Sequence, residues 1–295
     1  MVPRVPSKGE AGGSLLVDPA YPHLGHAKFL PSIKNREQLV FHYNAEKYNF
    51  REVIIEMFKC SEKIGDSFAS VDAETALDRI HELTWPGKPL KQGGGRGRSN
   101  LTPWHTEYAT INRPHGAGHA KSDREKALFE RYETILREFC RDVVSPLLGV
   151  GPEEDVAIVY QRRPTLRVGM PAKKPMGHPH CDYEYHHQPG EINFWIPLNS
   201  VFGSNTLWTE TAPGKGDFSP LVLQYGSAIR FWGNQCKHYT VANDSGKTRV
   251  SLDFRVIRAD RFNPDFVCSR GKPGQFRIGQ YYLSTSLDSK CQPTS

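Results

Sequence analysis

The feature that most restricts the fold is an alternation of polar and apolar residues in the second half of the chain. In "TRVSLDFRVI", apolar side chains occupy every second position and alternate with Arg249, Ser251, Asp253 and Arg255. The segments "EINFWIPL" and "TLRVGM" repeat this pattern. Side chains of a strand point alternately to opposite faces, so each segment predicts a strand with one apolar and one polar face. The polar faces either contact solvent or line a polar lumen inside a β-sandwich or barrel that holds a ligand.

The first half of the chain has helical periodicity instead. We expect helices over residues 45–60 and 72–85, and a third that begins at "SDRE", where Ser122 and Glu125 form a capping box. Its predicted buried face is Leu128, Tyr132, Ile135, Leu136, Phe139 and Val143. Strands are expected near 155–161, 164–170, 191–198, 205–210, 221–231 and 248–257.

Helices followed by strands indicate an α+β fold, with an antiparallel β domain and helices covering one face. We divide the chain into an N-terminal helical and loop region, a β core with its leading helix, and a C-terminal extension, which together make effectively one domain. Their bounds are 1–120, 121–262 and 263–295.

Composition excludes several classes of protein. No apolar run approaches the roughly 20 residues that span a bilayer, and the N-terminus has no apolar region typical of a secretory signal. The six cysteines form no CxxC pair, which predicts reduced thiols and a cytoplasmic location. A formal net charge of +6 weakly favours an anionic ligand. The oligomeric state is not indicated.

A basic, glycine-rich segment, "PGKPLKQGGGRGRSN", spans residues 86–100. It suits a lid over a site, a solvated linker or an RGG-like nucleic-acid contact. No aromatic residue separates its charges, so nucleic-acid binding is the least favoured of these interpretations.

The stretch "HPHCDYEYHH" contains four histidines and two carboxylates in ten residues. If His180 and Asp182 lie at a strand end, they point the same way, and a distant His238 supplies a third ligand. Two imidazoles and one carboxylate make the facial triad of non-haem Fe(II) oxygenases. Arg249 and Ser251 follow His238 on a predicted polar face, where a guanidinium and a hydroxyl form a receptor for a carboxylate. A triad beside such a receptor suits 2-oxoglutarate.

Other interpretations of the cluster stay open from the residues alone. A cupin-type metalloenzyme would use His178, His180, Glu184 and His238. A zinc hydrolase could use the same ligand types. A non-catalytic 2-oxoglutarate-binding module, a nucleic-acid-binding module or a solvated polar loop are the remaining alternatives.

Sequence blocks within residues 155–262 resemble a known family. "PTLRVGMP", "HCDYEYHHQPGEINFWIPL", "GSNTLWTE" and "TRVSLDFRV" are similar to blocks of the StrG-like branch, from streptomycin biosynthesis, of the Fe(II)/2-oxoglutarate-dependent oxygenases. Algal kainoid synthases are more distant relatives that use the same cofactors for oxidative ring closure. The resemblance implies a double-stranded β-helix (jelly-roll) core with buttressing N-terminal helices.

The resemblance also implies the cofactors Fe(II), 2-oxoglutarate and O2, and a small-molecule substrate. The metal ligands are then His180, Asp182 and His238, and the cosubstrate-binding residues are Arg249, Ser251 and Asn193. Expected substrate-binding residues are Arg167, Tyr185, Trp195 and Asn205. The implied chemistry is hydrogen-atom abstraction from a C–H bond by a ferryl-oxo species, followed by hydroxylation, desaturation or ring closure. Arg167, which alternation places in the lumen, and the net positive charge of the chain suggest a polar, anionic substrate.

Overall fold

The computed structural model describes residues 40–61, 68, 72, 75–85, 88–89, 108, 122–150, 157–185, 187–188, 190–266 and 276–285. Within them, the chain forms antiparallel sheets with helices packed on one side. The large sheet has seven strands: β1 Val40–His42, β4 Ile158–Gln161, β5 Thr165–Gly169, β6 Ile192–Pro197, β9 Ser227–Phe231, β11 Arg249–Arg258 and β12 Tyr282–Ser284. Their order across the sheet is β1-β9-β6-β11-β4-β12, and β5 also pairs with β11.

Strand β11 is the centre of this sheet. Its first half pairs with β5, its second half pairs with β4, and β6 lies along its other edge. Residues 249–257 are all buried, the polar ones included. The polar face is therefore enclosed inside the protein, which is the lumen alternative of the two that the alternation allowed.

A smaller sheet consists of β7 Trp208–Thr209, β8 Ser219–Pro220 and β10 His238–Tyr239. Their order is β10-β7-β8. An isolated antiparallel bridge joins His180 to His238, the first residue of β10. A two-stranded ribbon, β2 Thr84–Trp85 with β3 Lys88–Pro89, lies outside both sheets.

The helices are α1 Phe50–Lys59, α2 Asp123–Phe139 and the short α3 Ser145–Leu147, and a π-helical segment, Cys140–Val144, connects α2 to α3. The predicted capping box of α2 is present: Ser122 Oγ accepts from Glu125 N at 3.3 Å, and Glu125 Oε2 accepts from Ser122 N at 2.8 Å. The α2 residues expected to be buried are buried, whereas Val143, in the π-helical segment, is half-buried.

Aromatic rings join the helices to the large sheet. The ring of Phe139, at the end of α2, lies 6.5 Å from that of Phe41 and 5.3 Å from that of Tyr43. Phe41 in turn packs edge-on against Phe194 of β6 at 5.9 Å. The helices thus buttress the apolar face of the sheet, as the sequence predicted, and leave the opposite face to the lumen.

The predicted helix over 72–85 is wrong. The structure has a turn at 75–79, a 3-10 helix at Ile80–Glu82 and then β2. Contacts with distant residues override the local helical pattern: Asp78 accepts from Asn199 Nδ2 through Oδ1 and from Thr248 N through its carbonyl, and His81 Nδ1 lies 2.8 Å from Thr248 Oγ1.

Other element boundaries were predicted too generously. Helix α1 starts at Phe50 because Asn44 Oδ1 accepts from the amides of Glu46 and Lys47, which makes a turn. The strands expected at 205–210 and 221–231 contract to β7 and β9. A positive-φ glycine, Gly226, makes the turn before β9. The sequence did not predict six of the strands, namely β1, β2, β3, β8, β10 and β12.

The C-terminal extension contributes β12, which pairs with β4 and is part of the large sheet. Among the helices that the structure describes, none is both long enough and apolar enough to cross a membrane. The glycine-rich segment "GGGRGR" and the division at residue 120 lie outside the described residues.

Candidate metal centre

The structure brings together the three side chains expected to bind a metal. One potential ligand atom from each of His180, Asp182 and His238 lies within 4.8 Å of the others. His180 and His238 are bridge partners, and Asp182 begins a 3-10 helix, Asp182–Tyr185. His180 therefore lies at a strand end, as expected, whereas Asp182 lies in a tight turn. The backbone amide of Asp182 donates to Gly233 O at 2.8 Å, which orients the residue.

Backbone carbonyls fix the tautomer of both imidazoles. His180 Nδ1 lies 2.7 Å from His178 O, and His238 Nδ1 lies 3.1 Å from Cys236 O. A carbonyl oxygen only accepts hydrogen bonds, so each Nδ1 carries the proton and each Nε2 keeps a lone pair for a metal. Burial, and to a lesser extent His180, lowers the pKa of His238 against the opposing effect of Asp182. The neutral imidazole is the form that binds metals.

The two oxygens of Asp182 have different roles. Oδ2 accepts from Asn193 Nδ2 at 2.7 Å, from Arg255 Nε at 3.0 Å and lies 2.9 Å from Arg255 Nη2. Oδ1 lies 3.7 Å from His238 Nε2, and two donor atoms that share one metal at about 2.1 Å lie at most about 4.2 Å apart. Oδ1 is therefore the oxygen that faces the metal position.

Electrostatics keep Asp182 ionised although its side chain is buried. Burial by itself raises the pKa of this carboxyl, but the charge of Arg255, together with the hydrogen bond from Asn193, outweighs it and holds the pKa below its usual range. A carboxylate must be deprotonated to bind a metal.

Arg255 is the main residue that the sequence interpretation missed. Its Nη2 lies 3.4 Å from Asp253 Oδ2, two residues earlier on the same face of β11. The shorter contact with Asp182 was not expected. The signal was present, because Arg255 lies on the same face of β11 as Arg249, Ser251 and Asp253.

Arg249 is a buried cation without an ion-pair partner among the described residues. Its side chain crosses Gly169 on β5 and lies 5.9 Å from the ring centre of Trp195. Burial and, to a lesser extent, Arg167 lower the pKa of Arg249 to about 9, against the opposing effect of Asp253. Arg249 Nε and Ser251 Oγ are buried with no hydrogen-bond partner in the described part of the chain. Buried polar groups of this kind normally have a partner, so the pair suits an anionic ligand.

A small open cleft lies beside Arg249. Asn205 and Thr206 line it, and both have a buried side-chain atom, Nδ2 and Oγ1 respectively, without a partner within the described ranges. Asn205 Oδ1 accepts from Phe202 N, which fixes the amide orientation. Asn205 thus lies near the predicted carboxylate receptor.

The remaining predicted site residues occupy different places. Asn193 holds Asp182 and has its own Oδ1 buried and unpartnered among the residues described. The side chain of Arg167 is 42% exposed and reaches Asp253 Oδ2 at 3.5 Å. Tyr185 is exposed, with its ring edge-on to His180 at a centroid distance of 5.1 Å. Trp195 is buried beside Arg249.

The cupin-type ligand set is not assembled in the described structure. Glu184 is exposed, and its Oε1 accepts from the amide of Cys181 and lies 3.4 Å from Sγ of that residue. His178 is exposed and contributes its carbonyl oxygen to His180. His187 is buried, with Nδ1 2.8 Å from Glu191 Oε2, and is therefore not part of a solvated polar loop. His186 lies outside the described residues.

Two buried side chains support the loop that carries His238. Glu210 Oε1 accepts from Lys237 N at 2.6 Å, and its Oε2 accepts from Gly216 N. Asn234 Nδ2 donates to Gln188 O at 2.8 Å. Glu210 belongs to the block "GSNTLWTE", which was the available sequence signal for it.

Comparisons with known proteins give one clear sequence relative. The streptomycin biosynthesis protein StrG of Streptomyces griseus is 35% identical over 148 residues, which cover 50% of this chain and 69% of StrG. No protein-family model matches.

Solved structures give weaker likenesses. The non-heme monooxygenase ThoJ in its nickel complex is 13% identical, with a TM-score of 0.38 over 83% of this chain and 86% of ThoJ. The alpha-ketoglutarate-dependent carbocyclase SnoK of nogalamycin biosynthesis is 11% identical, with a TM-score of 0.40 over 86% of this chain and 95% of SnoK. Superpositions this loose do not establish a function, which has to be inferred from the site itself.

Proposed function

Because the chain belongs to the StrG family, we propose that it is an Fe(II)- and 2-oxoglutarate-dependent oxygenase that oxidises a C–H bond of a small polar metabolite. The match to StrG confirms the branch that the sequence blocks indicated. One observation carries the proposal: a His-Asp-His cluster shares a buried polar lumen with Arg249, which has no ion-pair partner in the part of the chain that the structure describes.

The residues present fit both groups. Nε2 of His180, Nε2 of His238 and Oδ1 of Asp182 would hold the metal, since their other polar atoms are already bonded. Arg249 would hold the distal carboxylate of 2-oxoglutarate, and Ser251 would donate its hydroxyl to it. When bound, Fe(II), 2-oxoglutarate and O2 supply the oxidising power, with succinate and CO2 as the coproducts.

The protein's own residues bind and orient the metal and the cosubstrate, and they exclude water from the lumen. The carbonyls of His178 and Cys236 keep both imidazoles in the metal-binding tautomer. Burial of β11 keeps water from the lumen, which strengthens the attraction between Arg249 and a carboxylate. Tyr185, exposed beside His180, would form a wall of the substrate entrance.

One arginine of the lumen suits an anionic substrate by its position. The buried carboxylates Asp182, Asp253 and Glu191 balance the three arginines in number, so net charge does not decide the matter. Arg255 is engaged with Asp182, and Arg249 is assigned to the cosubstrate. Arg167 is the most exposed of these arginines and its contact with Asp253 is long, so it is the residue we assign to a carboxylate or similar group on the substrate.

The finer architecture and role follow from the same assignment. We place the two antiparallel sheets in a double-stranded β-helix with the metal between them, because Asp182 contacts β6 and β11 of one sheet and His238 belongs to the other. A role in secondary-metabolite biosynthesis is supported by the name of the StrG relative. Hydroxylation, desaturation and ring closure such as that of kainoids are the candidate outcomes.

Succinate formation tests the proposal. Purified protein with Fe(II), 2-oxoglutarate and O2 should form succinate, slowly without substrate and faster with a suitable anionic metabolite. Asp182→Ala should abolish turnover and Glu184→Ala should not. The reverse order of the two variants would support the cupin-type ligand set. Metal-dependent 2-oxoglutarate binding without any turnover would indicate a binding module, and the absence of both would reject the oxygenase assignment.

A further inference from the structure

Asn193 of β6 and Arg255 of β11 each donate a hydrogen bond to the same oxygen of the candidate metal ligand Asp182, and a second guanidinium nitrogen of Arg255 lies 2.9 Å from it. We propose that Arg255 and Asn193 are positioning residues that restrict Asp182 to one metal-bound oxygen, Oδ1, and thereby keep coordination positions open. This inference rests on the metal site of the proposed function, and it does not depend on the identity of the substrate.

The hydrogen bonds to Oδ2 leave it little capacity for a metal. Asn193 Nδ2 donates to it at 2.7 Å and Arg255 Nε at 3.0 Å, while Arg255 Nη2 lies at 2.9 Å. A carboxylate can bind a metal through one oxygen or through both. For Oδ2 to bind as well, it would have to give up charge-assisted hydrogen bonds in a buried site, where they are strongest.

Arg255 is itself held in place. Gln161 Oε1 accepts both from Arg255 Nη1 and from the backbone amide of Arg255, each at 3.3 Å. Asp253 Oδ2 lies 3.4 Å from Arg255 Nη2. The guanidinium is buried and cannot follow Asp182 if the carboxylate rotates.

Asn193 is fixed by close packing rather than by charge. A Cβ atom built on Gly233 would lie 2.6 Å from Asn193 Cγ, so the amide group packs directly against the glycine backbone. The carbonyl of the same glycine accepts from the amide of Asp182 at 2.8 Å. Gly233 thus holds both the ligand and the amide that orients it.

The consequence is an open coordination sphere. A facial triad occupies three positions of an octahedral metal and leaves the others to ligands. A keto acid that chelates through two oxygens, together with O2, needs all three remaining positions. An aspartate bound through both oxygens would take one of them.

Mn(II) binding to the purified protein, followed by electron paramagnetic resonance of the free ion, tests the proposal without turnover. Arg255→Met and Asn193→Ala should each weaken Mn(II) binding by about 10- to 100-fold, as loss of a residue that orients a ligand typically does. Arg255→Lys should be intermediate, because an ammonium keeps the charge and loses the fork of donors. Arg162 directly follows β4 and pairs with Glu133 of α2, so Arg162→Met should change affinity by less than about twofold.

A crystal structure of the Mn(II) complex shows how many oxygens of Asp182 bind the metal. This number should not change if Arg255 and Asn193 only stabilise the fold. Asp182 should bind through Oδ1 alone in the wild type and through both oxygens in Asn193→Ala. If Arg255→Met does not fold, Asn193→Ala carries the test, since it removes no charge. Bidentate Asp182 in the wild type, or unchanged Mn(II) affinity in Asn193→Ala, would overturn the proposal, as would a wild type that binds no Mn(II).

The experiment separates this inference from the proposed function. Mn(II) binding that Asp182→Ala abolishes, combined with no succinate formation under any condition, would reject the oxygenase and leave the clamp on Asp182 to be judged by the variants alone.

Discussion

At the scale of single residues, the two oxygens of Asp182 face different surroundings, one turned to the metal position and one held by Arg255 and Asn193. The three candidate ligands could be selected from sequence because their types and spacing are chemically specific. The partners of Oδ2 could not, because Asn193 and Arg255 come from strands whose register is set by the whole sheet. Alternation assigned both to the polar face and gave no indication of which atom they contact.

Gly233 makes a test of this packing. Gly233→Ala would place Cβ 2.6 Å from Asn193 Cγ, so the amide must move away from Asp182. We expect a loss of about 1–3 kcal/mol in the free energy of unfolding, typical of overpacking, together with weaker metal binding. Urea unfolding and Mn(II) titration measure the two effects. Gly177→Ala is the matched control, because its Cβ would have only an ordinary 3.8 Å contact with Thr240 Oγ1. Equal behaviour of the two variants would contradict the crowding at Gly233.

Arg249 makes a second test at this scale. Arg249→Gln should weaken 2-oxoglutarate binding by about 2–5 kcal/mol, the usual cost of truncating one partner of a buried charge pair, which is about 30-fold or more. Calorimetry with Mn(II) in place of iron measures the affinity without turnover. Mn(II) binding itself should change little in this variant. Unaltered 2-oxoglutarate affinity would show that Arg249 is not the anchor of the distal carboxylate.

At the scale of elements, predictions from sequence succeeded where local signals and burial agree. Helix α2 has a capping box and a regular apolar face, and β11 has strict alternation, so both were predicted closely. Segment 72–85 has a helical pattern, but Asp78 and His81 form hydrogen bonds with residues more than a hundred positions away. Long-range contacts of this kind leave no periodic signal in the sequence.

The carboxylate of Asp142, in the π-helical segment, forms hydrogen bonds with the turn before α1. Asp142 accepts from Arg141 Nε at 2.6 Å, from Lys47 Nζ at 2.9 Å and from Tyr48 Oη at 2.9 Å. The hydrogen bond from Arg141 first, and then those from Lys47 and Tyr48, lower the pKa of Asp142 below its usual range, against the opposing effect of burial.

A pH series tests this connection. A carboxyl group with a lowered pKa in the folded state stabilises the fold above its unfolded pKa, about 3.9 for aspartate, and loses that effect as the pH falls. Asp142→Asn should therefore cost about 0.5–1.5 kcal/mol in the free energy of unfolding at neutral pH, and the difference from wild type should shrink below pH of about 4. Urea unfolding across this range measures it, with the exposed Asp265→Asn as control. A difference that does not depend on pH would contradict the ionic origin.

At the scale of the whole molecule, the candidate metal position joins the two sheets, since His238 belongs to the small sheet and the partners of Asp182 belong to the large one. Residues 276–285 close the far edge of the large sheet through β12. The division of the chain into three regions remains a prediction. Within its C-terminal extension, strand β12 pairs with β4 of the large sheet.

Metal binding should therefore stabilise the molecule as a whole. A ligand at about 100 times its Kd adds about 2.7 kcal/mol to the free energy of unfolding, equivalent to about 4 °C in Tm for a chain of this size. Thermal unfolding with Mn(II) should show this increase in wild type and in Glu184→Ala, and a chelator should reverse it. Persistence of the full increase in Asp182→Ala would place the bound metal elsewhere.

His180 and His238 are bridge partners whose main chains bond to each other in both directions: His180 N donates to His238 O at 3.2 Å, and His238 N donates to His180 O at 2.9 Å. The main chains that carry the two imidazoles therefore separate only when this pair of hydrogen bonds opens. Local opening exposes amide protons to exchange with solvent. A metal ion that bridges the two imidazoles should oppose this opening, so that deuteration of the His180 and His238 amides should become slower when the ion is added.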